Sequence, residues 1–280
     1  MRKNESSYDL SRRLAPPEAG QGQHSPSEAE PRIKRETVRG EASLAMLEPQ
    51  AAYALWAETY SPYPHNALMA LEQQALLSLL PDLAGLTVLD AGCGTGRYLR
   101  LARERGATAV GVDLSAPMLA RAYADGGSVA RGNICALPID STSIDAVVCG
   151  LVLGDVPHLE IALGEMARVL RPGGCVVYSV VHPIGERAGW SRTFTAAGRQ
   201  NAIATYWHSL EEHRRACAGA GLRITGWQEP VLSEVPEHPA VLVVRASRER
   251  AAPPEAGQGD TALARRSHVT HAQRSKAEPC

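Results

Sequence analysis

The chain has 280 residues, of which 44% are hydrophobic and 21% are charged, and its formal net charge is −1. This hydrophobic content is sufficient for a buried core, so the chain is not disordered as a whole. A nearly neutral chain lacks the basic surface that neutralises phosphates, which argues against nucleic acid as a partner.

The six cysteines form neither a CxxC pair nor a Cys/His ligand spacing, so we expect reduced thiols and no bound metal. No stretch approaches the ~18 apolar residues that cross a bilayer, and no apolar segment follows the charged amino terminus. We therefore expect a cytoplasmic protein that does not bind membranes. The sequence contains no indication of its oligomeric state.

Both ends of the chain differ in composition from its middle. Residues 1–42 and 248–280 are rich in Ser, Glu, Arg and Pro, which is typical of disordered tails. The octapeptide APPEAGQG occurs in each, at Ala15–Gly22 and Ala252–Gly259, and indicates low-complexity sequence. The folded domain is therefore predicted over residues 43–247.

Between the tails, helical and strand patterns alternate, which is typical of a doubly wound α/β fold. We predict two amino-terminal helices, a mostly parallel sheet of about seven strands and a terminal antiparallel hairpin. The predicted helices are Ser43–Glu58 with a break near Pro49, Ala67–Leu80, Arg97–Arg105, one capped by Ser115, one with Leu159, Leu163, Met166 and Leu170 on its core face, and one that begins at a Ser209/Glu212 capping box. The predicted strands are Thr87–Ala91, Ala109–Leu114, one near Val129, Ile144–Cys149, Cys175–Val181, Leu222–Trp227 and Ala240–Arg245.

A glycine-rich segment, VLDAGCGTGRY, lies between a predicted strand and a predicted helix. Glycine at Gly92, Gly94 and Gly96 permits positive φ angles and the close approach of a ligand. A dinucleotide-binding loop would have its third glycine where this chain has Arg97, which argues against a pyrophosphate cradle.

Two carboxylates flank this loop. Asp90 precedes the first glycine by two residues, so we expect it to face the loop or a cationic group of the ligand. Asp113 ends the next predicted strand, where both of its oxygens can accept from the hydroxyls of a ribose. The alternative for Asp113 is to cap the following helix, although Ser115 is placed to do so.

The segments DAGCGTG, GVDLSAPML, GNICALP and IDAVVCG together resemble successive motifs of class I S-adenosylmethionine-dependent methyltransferases. The branch that the chain most resembles includes ubiquinone/menaquinone and malonyl-carrier-protein O-methyltransferases. The resemblance implies S-adenosylmethionine as cofactor and methyl transfer to a small organic molecule. The cofactor-binding residues that it implies are Asp90, Gly92, Gly94 and Gly96 for the methionine moiety, Asp113 for the ribose, and Leu114, Met118, Asn133 and Ile134 for the adenine. Asn133 stands where the family usually has an aspartate.

Candidates for the acceptor side follow from position, because ligands of such sheets bind beyond the carboxyl ends of the strands. The candidate residues are Tyr60, Tyr63 and His65 in a Pro-punctuated lid, Asp155 after the fourth strand, and Trp190 and Tyr206 in an aromatic insertion over residues 185–208. His182, directly after the fifth strand, is the preferred general base, and His208 is its rival.

Two other function classes stay open at this point. A nicotinamide-dependent oxidoreductase would share the strand, the glycine loop and Asp113, but Arg97 and the terminal hairpin argue against it. A non-catalytic protein could retain the same fold for binding alone.

Overall fold

The computed structural model describes residues 8–9 and 45–250 of the chain. Nearly all of the two predicted disordered tails, with both copies of the octapeptide, lies outside the described residues. Among the residues that the structure does describe, no helix is long and apolar enough to cross a membrane.

The strands are β1 (Tyr8–Asp9), β2 (Ala45–Leu47), β3 (Thr87–Ala91), β4 (Thr108–Asp113), β5 (Val129–Arg131), β6 (Ile144–Gly150), β7 (Leu170–Val181), β8 (Ser191–Ala196), β9 (Arg199–Ile203), β10 (Leu222–Gln228), β11 (Val231–Leu232), β12 (Val235–Pro239) and β13 (Val241–Arg248). The α-helices are α1 (Pro49–Trp56), α2 (Ala67–Leu79), α3 (Arg97–Glu104), α4 (Ala116–Ala124), α5 (Leu159–Val169), α6 (Ile184–Arg187) and α7 (Leu210–Gly219).

The main sheet has seven strands in the order β10-β13-β7-β6-β3-β4-β5. Six of them run in the same direction, and β13 alone is reversed, being antiparallel to both β7 and β10. The predicted α/β class, the mostly parallel sheet and the terminal antiparallel pair are therefore confirmed. Between β10 and β13, the chain also forms a small hairpin of β11 and β12 that the sequence analysis missed.

Helices cover both faces of this sheet. Alternate residues of β6 point to opposite sides, so Val147 and Cys149 belong to one hydrophobic cluster, and Ala146 and Val148 to the other. Helices α5 and α7 pack in the first cluster, and α2 and α3 in the second. Burial on both faces explains why the parallel strands are almost wholly apolar.

The amino-terminal helix prediction requires correction. Residues 45–47, predicted as helix within Ser43–Glu58, form β2, and α1 begins only at Pro49. Strand β2 runs parallel to β9, which is the second strand of a hairpin with β8 inside the predicted insertion. A second sheet results, in the order β1-β8-β9-β2, so Tyr8–Asp9 of the predicted disordered tail also form a strand. These pairings join segments far apart in sequence, and local patterns do not reveal them.

Most strand boundaries lie within one residue of the predictions, but β7 begins five residues early and β13 ends three residues late. Strand β7 begins at Leu170, five residues before the predicted Cys175, and its pairing with β6 is irregular between Ile144 and Ala146. Strand β13 continues to Arg248, one residue beyond the predicted end of the domain. The guanidinium of Arg248 donates to backbone carbonyls of Ala167 and Leu170, which ties this strand to the end of α5.

Helix α5 provides a test of the core packing. Met166 is fully buried on its inner face, whereas Ile161 is 45% exposed on the same helix. We expect Met166→Ala to lower the free energy of unfolding by about 2–5 kcal/mol, because it leaves a cavity in close-packed surroundings. Ile161→Ala should change it by less than about 0.5 kcal/mol. Urea denaturation of both variants checks this, and equal losses would contradict the assigned orientation of α5.

Candidate cofactor and acceptor site

The glycine loop leaves the carboxyl end of β3 and returns into α3. Its three glycines all have positive φ, with Gly96 acting as the left-handed N-cap of α3. At Gly92, an added Cβ would lie 2.5 Å from a methyl carbon of Val152, so only glycine allows the loop to approach the segment after β6. Nothing lies within 4 Å of a Cβ built on Gly94, which faces open space.

A cavity of about 320 Å³ lies at the carboxyl ends of β3, β4 and β6, beside this loop. It is lined by eight of the nine predicted cofactor residues: Asp90, Gly92, Gly94, Asp113, Leu114, Met118, Asn133 and Ile134. Gly96 does not line it, since it serves the loop as the helix cap. The structure thus brings the predicted cofactor residues together in one place.

Asp90 forms part of the buried floor of the cavity, with 2% of its surface exposed. Its Oδ2 accepts from the backbone N–H of Leu99 at 2.8 Å, which ties β3 to the first turn of α3. Burial raises the pKa of Asp90 to about 7, although the Leu99 N–H and the Arg97 charge favour the ionised form. A cationic ligand group would stabilise its carboxylate.

Asp113 holds the loop and the following segment together. Its Oδ2 accepts from the Gly94 N–H at 2.8 Å, and its Oδ1 accepts from the Ser115 N–H at 2.7 Å. Burial raises its pKa above the ordinary value, against the effect of these two donors. Each carboxylate oxygen retains a second lone pair, so Asp113 can still accept hydrogen bonds from a ligand.

Ser115 occupies the predicted N-cap position of α4, but the predicted capping by its side chain is wrong. Its hydroxyl makes no capping hydrogen bond to α4, and Ser115 Oγ is buried without a partner among the described residues. The same is true of Thr95 Oγ1 in the glycine loop. Both residues line the cavity. Buried hydroxyls without partners are costly in a folded protein, so a polar ligand at these positions would supply what they lack.

The adenine side of the cavity combines apolar walls with one amide. Met118 and Ile134 are buried, and Leu114 is 40% exposed. Asn133 Oδ1 accepts from the Cys135 N–H at 2.9 Å, which orients the side-chain amide at the cavity edge. This amide provides both acceptor and donor groups toward a heterocyclic ring.

Beneath the loop lies a buried ionic network that the sequence analysis missed. Glu72 of α2 is fully buried, pairs with Arg97 at 2.9 Å, and accepts from Tyr98 Oη at 2.7 Å and from Ser179 Oγ at 2.6 Å. The sequence feature that could have predicted this network is a glutamate among the apolar residues of α2. Arg97, noted only as the replacement of a third glycine, lines the cavity.

Three of the predicted acceptor residues, Tyr60, Asp155 and Tyr206, also line the cavity, and the part that they line is termed its acceptor end. Burial raises the pKa of Tyr60 above its ordinary value, so its phenol is not predisposed to act as a base. Tyr206 Oη donates to Glu48 Oε2 at 3.2 Å across the cavity mouth. The acceptor-end residues that the sequence analysis did not single out are Tyr53, Trp56, Arg192 and Thr193.

The remaining acceptor candidates lie elsewhere. Tyr63 is 57% exposed, with the Arg100 guanidinium 4.0 Å from its ring centre. His65 packs edge-on against Tyr60, one layer behind the cavity wall. Trp190 lies against Gly185, where an added Cβ would be 2.6 Å from the indole. None of these three residues therefore lines the cavity.

Neither predicted base, His182 or His208, lines the cavity, and the role of either as a general base stays a prediction. His182 is buried, its Nδ1 accepts from the Ile184 N–H, and its Nε2 contacts Glu229 at 3.0 Å. Its pKa is lowered, chiefly by burial. His208 donates from Nε2 to the Val156 carbonyl at 2.9 Å. The end of a strand fixes only backbone position, and here the side chains turn toward other partners.

Comparisons with known proteins find similarity to methyltransferases in sequence and in fold. A family model described as "Methyltransferase domain" matches residues 89–178. A malonyl-[acyl-carrier protein] O-methyltransferase of Pectobacterium atrosepticum is 38% identical over 110 residues, or 39% of this chain and 44% of that protein. An uncharacterized protein of Haemophilus influenzae is 34% identical over 202 residues, covering 60% of this chain and 79% of that one.

Among solved structures, a S-adenosylmethionine dependent methyltransferase from Mesorhizobium loti superimposes with a TM-score of 0.56 at 28% identity. The match covers 64% of this chain and 98% of that structure. The chain spans about half the length of the named curated relatives that it matches, with 44% of the first and 56% of the second.

The raised pKa of Asp90 predicts a pH dependence of stability. Its folded pKa of about 7 exceeds the ordinary value of 3.8, so folding takes up a proton between these two values. The stability that the folded state gains from proton binding at Asp90 is full at acidic pH and is lost as the pH rises toward 7. Asp90→Asn, which cannot titrate, should therefore gain stability relative to the parent between pH 5 and 7.

Urea denaturation of the parent and Asp90→Asn across this pH range measures the effect. The exposed Asp82→Asn is the control, and its difference from the parent should not change with pH. Parallel stability profiles for the parent and Asp90→Asn would show that Asp90 is already ionised at acidic pH.

Proposed function

Because the chain belongs to the class I S-adenosylmethionine-dependent methyltransferases, we propose that it transfers a methyl group from this cofactor to a small organic acceptor. The observation that carries the proposal is one cavity that is lined both by the glycine loop with Asp113 and by a wall of aromatic side chains. A cofactor and an acceptor can meet in such a space.

The residues present fit S-adenosylmethionine. Asp113 would accept from the ribose hydroxyls with its remaining lone pairs, and Asp90 would face the cationic amine. The unpartnered hydroxyls of Thr95 and Ser115 offer further polar contacts, and Met118 would pack against the adenine ring. The cofactor supplies an activated methyl group on a sulfonium, so the protein contributes mainly position and orientation.

The acceptor end favours a small, partly aromatic or apolar molecule. Tyr53, Trp56 and Tyr60 form a connected set of rings, with 4.8 Å between the Trp56 and Tyr60 ring centres. Pockets of this kind bind organic ligands through apolar surface and orient them with a few polar groups. Incubation of the protein with S-adenosylmethionine and a metabolite extract, followed by a mass search for the gain of one methyl group, tests the activity. No gain for any metabolite would favour a non-catalytic role.

Asp113→Ala tests the cofactor assignment. We expect affinity for S-adenosylmethionine to fall at least about tenfold, because two ribose hydroxyls lose their shared acceptor and the Gly94 N–H loses its own. Calorimetric titration measures this. The exposed Asp140→Asn carries the same change of charge outside the cavity and should bind as the parent does. Unchanged affinity in a folded Asp113→Ala would remove the ribose assignment.

His182→Asn tests whether His182 acts as the general base. An asparagine can accept from the Ile184 N–H as Nδ1 of His182 does, so the fold should persist. We expect turnover within about threefold of the parent, which is less than the loss of a general base produces. A loss of about 100-fold with unchanged cofactor affinity would identify His182 as the base.

A further inference from the structure

A buried ion pair bounds the acceptor end of the cavity. Arg192 of β8 donates from Nη2 to Oδ1 of Asp155, which ends the short 3₁₀ turn after β6. The Arg192 and Asp155 side chains are only 6% and 10% exposed, and both residues line the cavity. The pair is therefore part of the site and not of the outer surface.

The backbone places Asp155 beside the glycine loop. The Asp155 N–H donates to the Val152 carbonyl at 2.8 Å, and Val152 is the residue that packs against Gly92. One short segment thus carries both the contact to the loop and the carboxylate. Under the proposed function, this is where the acceptor meets the methyl group.

The positive charge of Arg192 is fully engaged within the protein. Besides Asp155, its guanidinium donates to Thr205 Oγ1 at 3.1 Å, to the Ala204 carbonyl at 3.1 Å and to Tyr53 Oη at 3.4 Å. The pair as a whole carries no net charge. An anionic acceptor would lose its hydration on entering and would gain no net opposite charge from this pair in return.

Asp155, unlike Arg192, has a hydrogen-bonding atom that is available to a ligand. Its Oδ1 takes the bond from Arg192, whereas no donor of the described residues reaches Oδ2. An ionised carboxylate only accepts hydrogen bonds, so this oxygen matches a ligand O–H or N–H. The aromatic wall of Tyr53, Trp56 and Tyr60 lies at the same end of the cavity.

We propose that the Asp155–Arg192 pair selects an acceptor whose reacting group is uncharged and bears a proton, such as a phenolic or alcoholic hydroxyl. The inference rests on the proposed function and names the acceptor class for that same site. In the transfer, the acceptor oxygen bonds to the methyl carbon while the carbon–sulfur bond breaks with its electron pair left on sulfur, and the hydroxyl proton passes to Asp155 Oδ2.

Phenol and benzoate are matched probes, since they share a ring and differ in the charge of the polar group. Each is titrated calorimetrically into the full chain, with and without S-adenosylhomocysteine. We expect the parent to bind phenol at least about tenfold more tightly than benzoate. Asp155→Asn exposes the Arg192 charge, so its affinity for benzoate should rise at least about tenfold while that for phenol falls. A purely structural role would not reverse this preference.

The exposed Asp125→Asn controls for the same change in net charge and should keep the parental preference. Equal affinity of the parent for both probes, including failure to bind either, overturns the inference, as does an Asp155→Asn that gains no affinity for benzoate. If Asp155→Asn does not fold, the parental comparison of the two probes still decides. Failure of S-adenosylhomocysteine to bind counts against the proposed function alone, because the probe preference is also measured in its absence.

Discussion

Glu72 is the buried charge on which the geometry of the site depends. It lies on α2, and its carboxylate contacts Arg97 and Tyr98 of α3 and Ser179 of β7, so one side chain fixes two helices and a strand. A buried charge is tolerated only when it is paired and hydrogen-bonded, and removal of any partner would leave the others unsatisfied. The network therefore holds α3, and with it the end of the glycine loop, in one position against the sheet.

A second constraint is the contact between the two sheets. The cavity floor belongs to the parallel sheet, whereas Arg192 and Thr193 come from the β8–β9 hairpin and Tyr53 and Trp56 from the helix that follows β2. Trp56 stacks on Phe194 at 4.9 Å between ring centres, which packs this helix against the hairpin. The Asp155–Arg192 pair joins the two parts at the cavity wall. The acceptor end is thus built by elements whose sequence positions are far apart.

The electrostatics of the cavity follow from burial. Asp90 and Asp113 both have raised pKa values because each is removed from water, and each is held by backbone N–H groups. Carboxylates in such surroundings gain from a ligand that brings positive charge or hydroxyl donors. This agrees with the cofactor of the family, which presents a cationic amine and a ribose.

Local sequence patterns predict the class of fold and the residues of the candidate cofactor end of the cavity. Apolar strands that alternate with amphipathic helices specify a parallel sheet. The glycine loop, Asp90 and Asp113 lie at the ends of β3 and β4, which are consecutive in the chain and neighbours in the sheet. The acceptor end, in contrast, is formed by tertiary packing. Pairing of β2 with β9, burial of Glu72, and the directions of His182 and His208 depend on partners distant in the chain. Side-chain direction and long-range pairing are set by packing, which local sequence periodicity does not encode.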